Sequence, residues 1–505
     1  MTTAPGSSGP ARGWLLDSEH NRRVVDGLRA IGIVLVVAFH GAFLFTKVLT
    51  PAQLDGFVAG LPSVLNVVWQ ALGSELVFFS SGFLLCYLLL REHGRYGSID
   101  ARDFWIRRAS RILPLFLLAL AVFMIGRSFH WDRFLANLLM VSRVTGHFDL
   151  LPHAGKNYVP VGWSLEVMVQ VYAALPLIVW FVLRTRRPLA AALVLVLLSI
   201  APRWIALAAD PVASATPYHE LVHGGDAPQL LEDLYYLTWF RLTPFLIGLV
   251  AAVVATHHRA ALEHWCRSTR RATATLLVGA AFVVASSSLP LHARDGWVYE
   301  AFTTWHWQVF WTMQRAVLVT GAALVLLTLL GTQRGPAGLA GRLLAWRGFA
   351  PVSSGIYSIY LFHFVCLVPA AVVVFLPAVV EGIANAPSLD RKVLVEHVSL
   401  AIDSANVGQY LAMVAIAVWL SARLATFLTR VVEQPVQDWL RTRYRRRERV
   451  LLPVPRLGRA GAGDSSAADP DRDAPQRGDA ATSSPHALKR PTPPERAGAR
   501  PPSNA

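Results

Sequence analysis

Two ionisable residues inside one apolar run pose the first chemical question. The stretch DGLRAIGIVLVVAFHGAFLF, residues 26–45, carries Arg29 near one end and His40 eleven positions later. On a helix, eleven residues turn through about 1100°, roughly 20° past three full turns, and rise about 16 Å, so the two side chains share a face. An ionisable group at membrane depth is costly and generally faces a polar cavity or a partner. A histidine placed there suits general acid–base catalysis, with a hydrogen-bonded structural histidine as the competing reading. Arg29 reads either as a topology anchor at a helix end or as part of an anion site.

Further groups extend the pattern. In FWIRRASRILPLF, residues 104–116, Arg108 and Arg111 stand at i and i+3 with Arg107 adjacent. Arginines so spaced at a helix start form a phosphate site, and with Arg29 they suit a highly phosphorylated cytosolic ligand; an ordinary cluster of topogenic charge is the alternative. In GSELVFFSSGFLL, residues 73–85, Glu75 lies well inside an apolar run and must be paired or protonated. It either orients His40, as an acid does in a catalytic dyad, or closes a structural contact between helices. In GWSLEVMVQVYAALPL, residues 162–177, Glu166 and Gln170 share a face and Tyr172 adds a hydroxyl. GIYSIYLFHFV, residues 355–365, puts His363 and two tyrosines into another apolar run, where belt tyrosines and a structural histidine are the simpler account.

The elements that must position these groups are membrane helices. Of the 505 residues 54% are hydrophobic and 16% charged, and the mean hydropathy is +0.43, a balance foreign to soluble globular domains. Ten stretches are apolar and long enough to span a bilayer: 28–46, 66–90, 111–127, 163–183, 189–208, 234–255, 273–291, 313–331, 352–377 and 407–428. The segment FLANLLMV, residues 134–141, reads as re-entrant or interfacial, or as an eleventh crossing.

The net charge of +15 does not point to nucleic acid, because the basic residues sit in short loops between apolar runs. Alternate loops carry Arg91 to Arg111, Arg184 to Arg187, Arg259 to Arg271 and Arg334 to Arg347. That side is cytoplasmic by the positive-inside rule, and both termini join it. The basic stretch Arg441 to Arg449 lies against anionic headgroups on this reading. The loop at 127–162, with Arg127, Arg133, Arg143 and Lys156, fits least well.

Cys86, Cys266 and Cys366 have neither disulfide nor metal spacing. The N-terminal stretch lacks a cleavable apolar core, so the first span is expected to be retained. From about residue 453 onward large apolar side chains are nearly absent, and the tail is expected to be disordered. The expectation is an all-α polytopic membrane protein of about ten transmembrane helices with both termini cytoplasmic. It has three parts: a cytoplasmic segment 1–25, a membrane domain 26–445 and a disordered Pro/Ala/Arg-rich tail 446–505. Ala- and Arg-rich composition suggests a GC-rich bacterial genome and hence a bacterial inner membrane.

Taken in order, Arg29–His40, Arg108–Arg111, SSGFL, GWSLEV with the following Gln170, Tyr172 and proline, YSIYLFHF and VVEQP resemble the acyltransferase 3 family of polytopic membrane O-acyltransferases. The resemblance covers about 400 residues. It implies transfer of an acyl group from cytosolic acyl-CoA, a cosubstrate and not a tightly bound cofactor, to a hydroxyl of a sugar, glycolipid, cell-envelope glycan or glycosylated metabolite. It implies His40 as the catalytic centre and Arg29, Arg108 and Arg111 as the acyl-CoA site or as structurally required residues; on the reading of the residues themselves, Glu75 or Glu166 is the acid that orients His40. Ser81, Trp163, Gln170, Tyr172 and His363 are supporting or acceptor-site candidates, and no metal is expected. Two positions depart from the family pattern: Met168 stands where a glutamate is usual five residues after Trp163, and Glu75 replaces the usual aspartate. Family members with a second, esterase-like domain exist, and this chain resembles the stand-alone form. The rival reading is a proton-coupled transporter or exporter, which ten spans with buried Arg, His and Glu would also suit.

Overall fold

The computed structural model describes residues 14–60, 68, 72–153, 155–216, 228–288, 301–388, 390–402, 405–444 and 451–453. The first thirteen residues, Arg445 to Arg449 of the basic stretch and the tail beyond Pro453 lie outside the described residues. A helix overlaps each of the ten expected positions, and one further short helix, Arg259–Arg267, lies between the sixth and the seventh. They are α1 (Glu19–Val48), α2 (Gly73–Tyr96), α3 (Ala101–Met124), α4 (Gly162–Arg184), α5 (Pro188–Ala209), α6 (Thr243–His257), α7 (Arg259–Arg267), α8 (Thr269–Ser287), α9 (Thr304–Gly331), α10 (Ile356–Val374) and α11 (Val407–Leu428). Seven helices, α1, α2, α4, α5, α9, α10 and the α11 helix with its continuation, are long and apolar enough to cross a membrane, or eight if α6 and α7, bent by 83°, form one span. The helix Trp131–Leu138 is only eight residues long, about 12 Å, too short for the eleventh crossing.

Local chemistry sets the helix ends. Gly97 at φ 72° ends α2, and three residues later the Asp100 carboxylate accepts from the Asp103 N–H at 2.9 Å and starts α3. Asn406 and Gln409 form a reciprocal cap on α11. Past Leu428 that helix widens into a π turn, Thr429–Glu433, and resumes as Gln434–Tyr444. Ser98–Asp100 pairs antiparallel with Leu451–Pro453, which brings the exit of α11 beside the α2–α3 turn. The start of α1 is at the same end, since Asp17 pairs with Arg91 at 2.9 Å.

Helix α2 is the centre of the bundle and α5 its rim: 83% of the apolar window of α2 is buried against 17% for α5. Leu193, Leu197 and Leu198 of α5 are exposed, a stripe suited to contact with lipid. At the centre, glycines set the spacing. A Cβ on Gly82 would meet the Phe245 carbonyl oxygen at 2.6 Å, and one on Gly248 the Phe83 nitrogen at 2.5 Å. Helices α2 and α6 therefore touch backbone to backbone. Gly248→Leu is expected to lower the melting temperature in detergent sharply, since even ordinary overpacking costs about 1–3 kcal/mol and here backbone must move. Gly73 does the same for α1, 2.7 Å from the Val36 nitrogen, and brings the start of α2 to the turn bearing His40.

Candidate active site

His40 and His363 meet across α1 and α10. His363 Nε2 lies 2.9 Å from His40 Nδ1, and His363 Nδ1 lies 2.8 Å from the Tyr360 carbonyl and 3.2 Å from that of Ile359. A carbonyl only accepts, so His363 Nδ1 carries the proton and its Nε2 offers a lone pair. That lone pair accepts from His40 Nδ1–H, which also approaches the Val36 carbonyl at 3.0 Å. In the neutral pair the remaining lone pair is on His40 Nε2, the arrangement of a general base oriented by a second group. His363 is fully buried and His40 half-buried.

A small chamber lies against His40, walled by Val36, Phe39, Gly73, Ser74, Trp163, Tyr235 and Tyr360. Tyr360 is also part of a larger pocket, about 710 Å³, that contains Arg29, Arg108, Arg111, Ser81 and Tyr172 over an apolar floor including Val77, Leu165 and Ile356. The hydroxyls of Tyr360 and Ser164 are hydrogen-bonded, between the two spaces.

The three arginines differ in their commitments. Arg29 pairs loosely with Asp26 at 3.4 Å, and Arg111 with Glu433 at 3.6 Å. Glu433 is the acid of VVEQP, buried in the π turn and held by Gln437 Nε2 at 2.9 Å, so this motif anchors Arg111. Arg108 makes no hydrogen bond or ion pair among the described residues, and its Nε is buried without a partner. Arg107, its neighbour, is paired with Asp103 and Glu92. The pocket thus presents an uncommitted guanidinium between two weakly held ones, a ready anion receptor.

The carboxylates have other partners than His40. Glu75 is fully buried and pairs with Arg241 and Arg315, both buried in the bundle. Arg203 lies near them and donates to the carbonyls of Trp311 at 2.6 Å, Leu234 at 3.1 Å and Phe240 at 3.2 Å. Arg241 also lies over the rings of Trp163 and Tyr235, which wall the His40 chamber. Glu166 accepts from the Arg143 N–H at 3.0 Å and from Asn157 Nδ2. Gln170 donates to the Met140 carbonyl at 2.9 Å and accepts from the Thr238 hydroxyl at 2.6 Å. Glu75 closes the structural contact left open above, and Glu166 and Gln170 tie the loop after α3 to α4. The orienting partner of His40 is His363.

The residues missed from sequence are Tyr360, Ser74, Tyr235 and the arginine cluster. For Arg203, Arg241 and Arg315 the signal was present: each falls inside an expected span, 189–208, 234–255 and 313–331, and the rule applied to His40 applies equally to them.

Beyond the N-terminal end of α4 a polar cavity of about 790 Å³ is lined by Arg143, His147, Lys156, Glu232, Asp233 and Tyr236 among others. His147 Nδ1 lies 3.0 Å from Asp233. Trp163 packs on Tyr236 of this cavity and on Tyr235 of the His40 chamber, with ring centroids 5.5 and 4.8 Å away. Three spaces therefore follow one another along α4, separated by Tyr360 and by Trp163.

The sequence profile described as an acyltransferase domain matches residues 22–426. YrhL of Bacillus subtilis, provisionally named a peptidoglycan O-acetyltransferase, is 24% identical over 379 residues, 70% of this chain and 50% of its own. The peptidoglycan O-acetyltransferase OatA of Listeria monocytogenes is 27% identical over 168 residues, 30% of this chain and 23% of its own. The O-acetyltransferase OatA of Staphylococcus aureus is 25% identical over 181 residues, 32% of this chain and 26% of its own. The chain spans half or less of the length of these curated relatives, and no solved structure matches it. The profile takes in Arg29, the arginine pocket and both histidines, and the chain belongs to the acyltransferase domain family, the acyltransferase 3 family of its sequence resemblance.

Proposed function

We propose that this protein is a membrane O-acyltransferase that moves a short acyl group, acetyl foremost, from cytosolic acyl-CoA to a hydroxyl of a cell-envelope glycan or related sugar acceptor. The observation that carries the reading is Tyr360, a wall shared by the arginine pocket and the chamber of His40. The phosphates of coenzyme A meet Arg108, Arg29 and Arg111, and the thioester arm reaches past Tyr360 toward His40. His40 Nε2 takes the proton of the acceptor hydroxyl as its oxygen attacks the thioester carbonyl. The carbon–sulfur bond breaks, and the proton passes to the leaving thiolate. The acceptor enters from the polar cavity beyond Trp163. The arginine-pocket end of the bundle faces the cytoplasm of a bacterial inner membrane, in keeping with the basic loops at that end. The names of the relatives support a glycan acceptor.

The test is transfer of label from acyl-labelled CoA into the lipid, glycan and small-molecule fractions of membranes containing the protein. Label in one fraction, absent when the protein is absent, supports transfer and names the acceptor class. Purified protein that neither binds CoA nor transfers label with its acceptors present would sink the reading. Arg108→Ala is expected to raise the KM for acyl-CoA about 10- to 100-fold with little change in kcat, since a charge-assisted hydrogen bond contributes about 1.5–3 kcal/mol. Steady-state kinetics against donor concentration checks this, and a kcat loss at constant KM would contradict the assignment.

A further inference from the structure

The loop between α3 and α4 carries a cluster to which acyl transfer gives no role. His130 and Asp132 stand at the start of the helix Trp131–Leu138, and His153 comes from the segment beyond it. One ligating atom from each of the three lies within 4.8 Å of the other two. The imidazoles of His130 and His153 stack with centroids 3.9 Å apart. Asp132 Oδ2 accepts from the backbone N–H of His153 at 2.9 Å and lies 3.1 Å from its Nδ1.

The surrounding loop holds this constellation in place. Arg133 donates to the carbonyls of Lys156 at 3.0 Å and Asn157 at 3.3 Å, and its guanidinium covers the Tyr158 ring. The His130 N–H donates to the Tyr158 hydroxyl at 3.2 Å, and that hydroxyl donates to the Ser128 carbonyl at 3.2 Å. Tyr158 is fully buried. His130 and the segment three residues beyond His153 are thus fastened to one anchor, and His153 itself is held by its contacts to Asp132 and His130.

We propose that His130, Asp132 and His153 form a zinc site, with water as the fourth ligand. Two imidazoles and one carboxylate are a donor set that zinc takes readily, whereas magnesium and calcium require oxygen-rich sites. Bonds of about 2.0 Å to a tetrahedral zinc separate ligand atoms by about 3.3 Å, so binding requires the ligand atoms to close in by about an ångström and the two stacked rings to turn until their lone pairs converge. The sequence reading found no metal spacing because the third ligand follows the second by 21 residues and only the fold returns it. A bound ion cross-links the helix Trp131–Leu138 to the segment bearing Gly155 and Lys156, which wall the polar cavity beyond Trp163. The site goes beyond acyl transfer, and its test does not depend on that reading.

The experiment is titration of the purified, tag-free protein in detergent with Zn²⁺ against a chromogenic chelator, beside Asp132→Asn and the double variant His130→Ala/His153→Ala. One zinc per chain with micromolar or tighter affinity is expected for the native protein. The double variant should lose it and Asp132→Asn should weaken it about tenfold or more. Zinc should raise the melting temperature of the native protein alone, and millimolar Mg²⁺ should not compete. His153 is exposed, so His153→Gln provides a variant that folds even if the double variant does not, and it too should lose the zinc. Native protein and variants binding zinc alike, or native protein showing no saturable micromolar binding, would overturn the proposal.

Discussion

His40→Ala is expected to reduce acyl transfer by about 10²–10⁴-fold at unchanged protein abundance, the contribution typical of a positioned general base. The KM for acyl-CoA should hold, because Arg29 is about 16 Å away along α1 and Arg108 and Arg111 stand on α3. His363→Phe fills similar space but removes one of the two acceptors that face His40 Nδ1. The Val36 carbonyl at 3.0 Å still holds the proton on Nδ1, so kcat should fall by less than in His40→Ala. The double variant should be no slower than His40→Ala alone, since residues that act as one unit do not lose rate independently. Single-turnover measurement of label transfer decides this. An additive loss in the double variant would mean that His363 acts on something other than His40.

Glu75→Leu should fail at the level of the fold. Its removal leaves Arg241 and Arg315 buried among apolar helices with no carboxylate between them, and breaking a buried pair from one side costs about 3–5 kcal/mol. The cluster already carries an excess of positive charge, with Arg203 beside it, and Arg241 Nη2 and Glu75 Oε2 are buried without partners among the described residues. There is little margin for a further loss. Glu75→Asp keeps the charge and should retain most of the stability. The check is abundance and monodispersity in mild detergent across Glu75→Leu, Glu75→Gln and Glu75→Asp. A Glu75→Leu protein that is folded and as stable as the native one, but inactive, would return Glu75 to the catalytic apparatus.

Helix positions were legible because a bilayer demands long apolar runs: a described helix overlaps each of the ten runs, and seven of the helices, or eight with the bent pair as one, are long and apolar enough to cross a membrane. The shared face of Arg29 with His40, and of Arg108 with Arg111, was legible because both relations are local to one helix. Contacts between helices were not. Periodicity tells which side of α10 His363 occupies but not that α1 lies against it, 323 residues earlier in the chain. For the same reason the sequence left Glu75 between orienting His40 and closing a contact between helices, and its partners Arg241 and Arg315 reach it from positions 166 and 240 residues away. An unpaired acid in a membrane helix implies a base somewhere in the bundle, and three arginines inside expected spans were the available answer. The metal-like cluster was illegible because its members are unremarkable in sequence and share no helix.

The carbonyl of Tyr360 at the end of the imidazole pair has a consequence for conduction. A proton wire needs a last member that can both take up and release a proton, and a peptide oxygen does neither under ordinary conditions. The chain from His40 to His363 is therefore a cul-de-sac. A proton arriving at His40 Nε2 leaves by the side on which it came. In a carrier coupled to a proton gradient the same group would have to be exposed to each side of the membrane in turn. A transferase needs only that the proton lifted from one reactant be returned to another in the same small space.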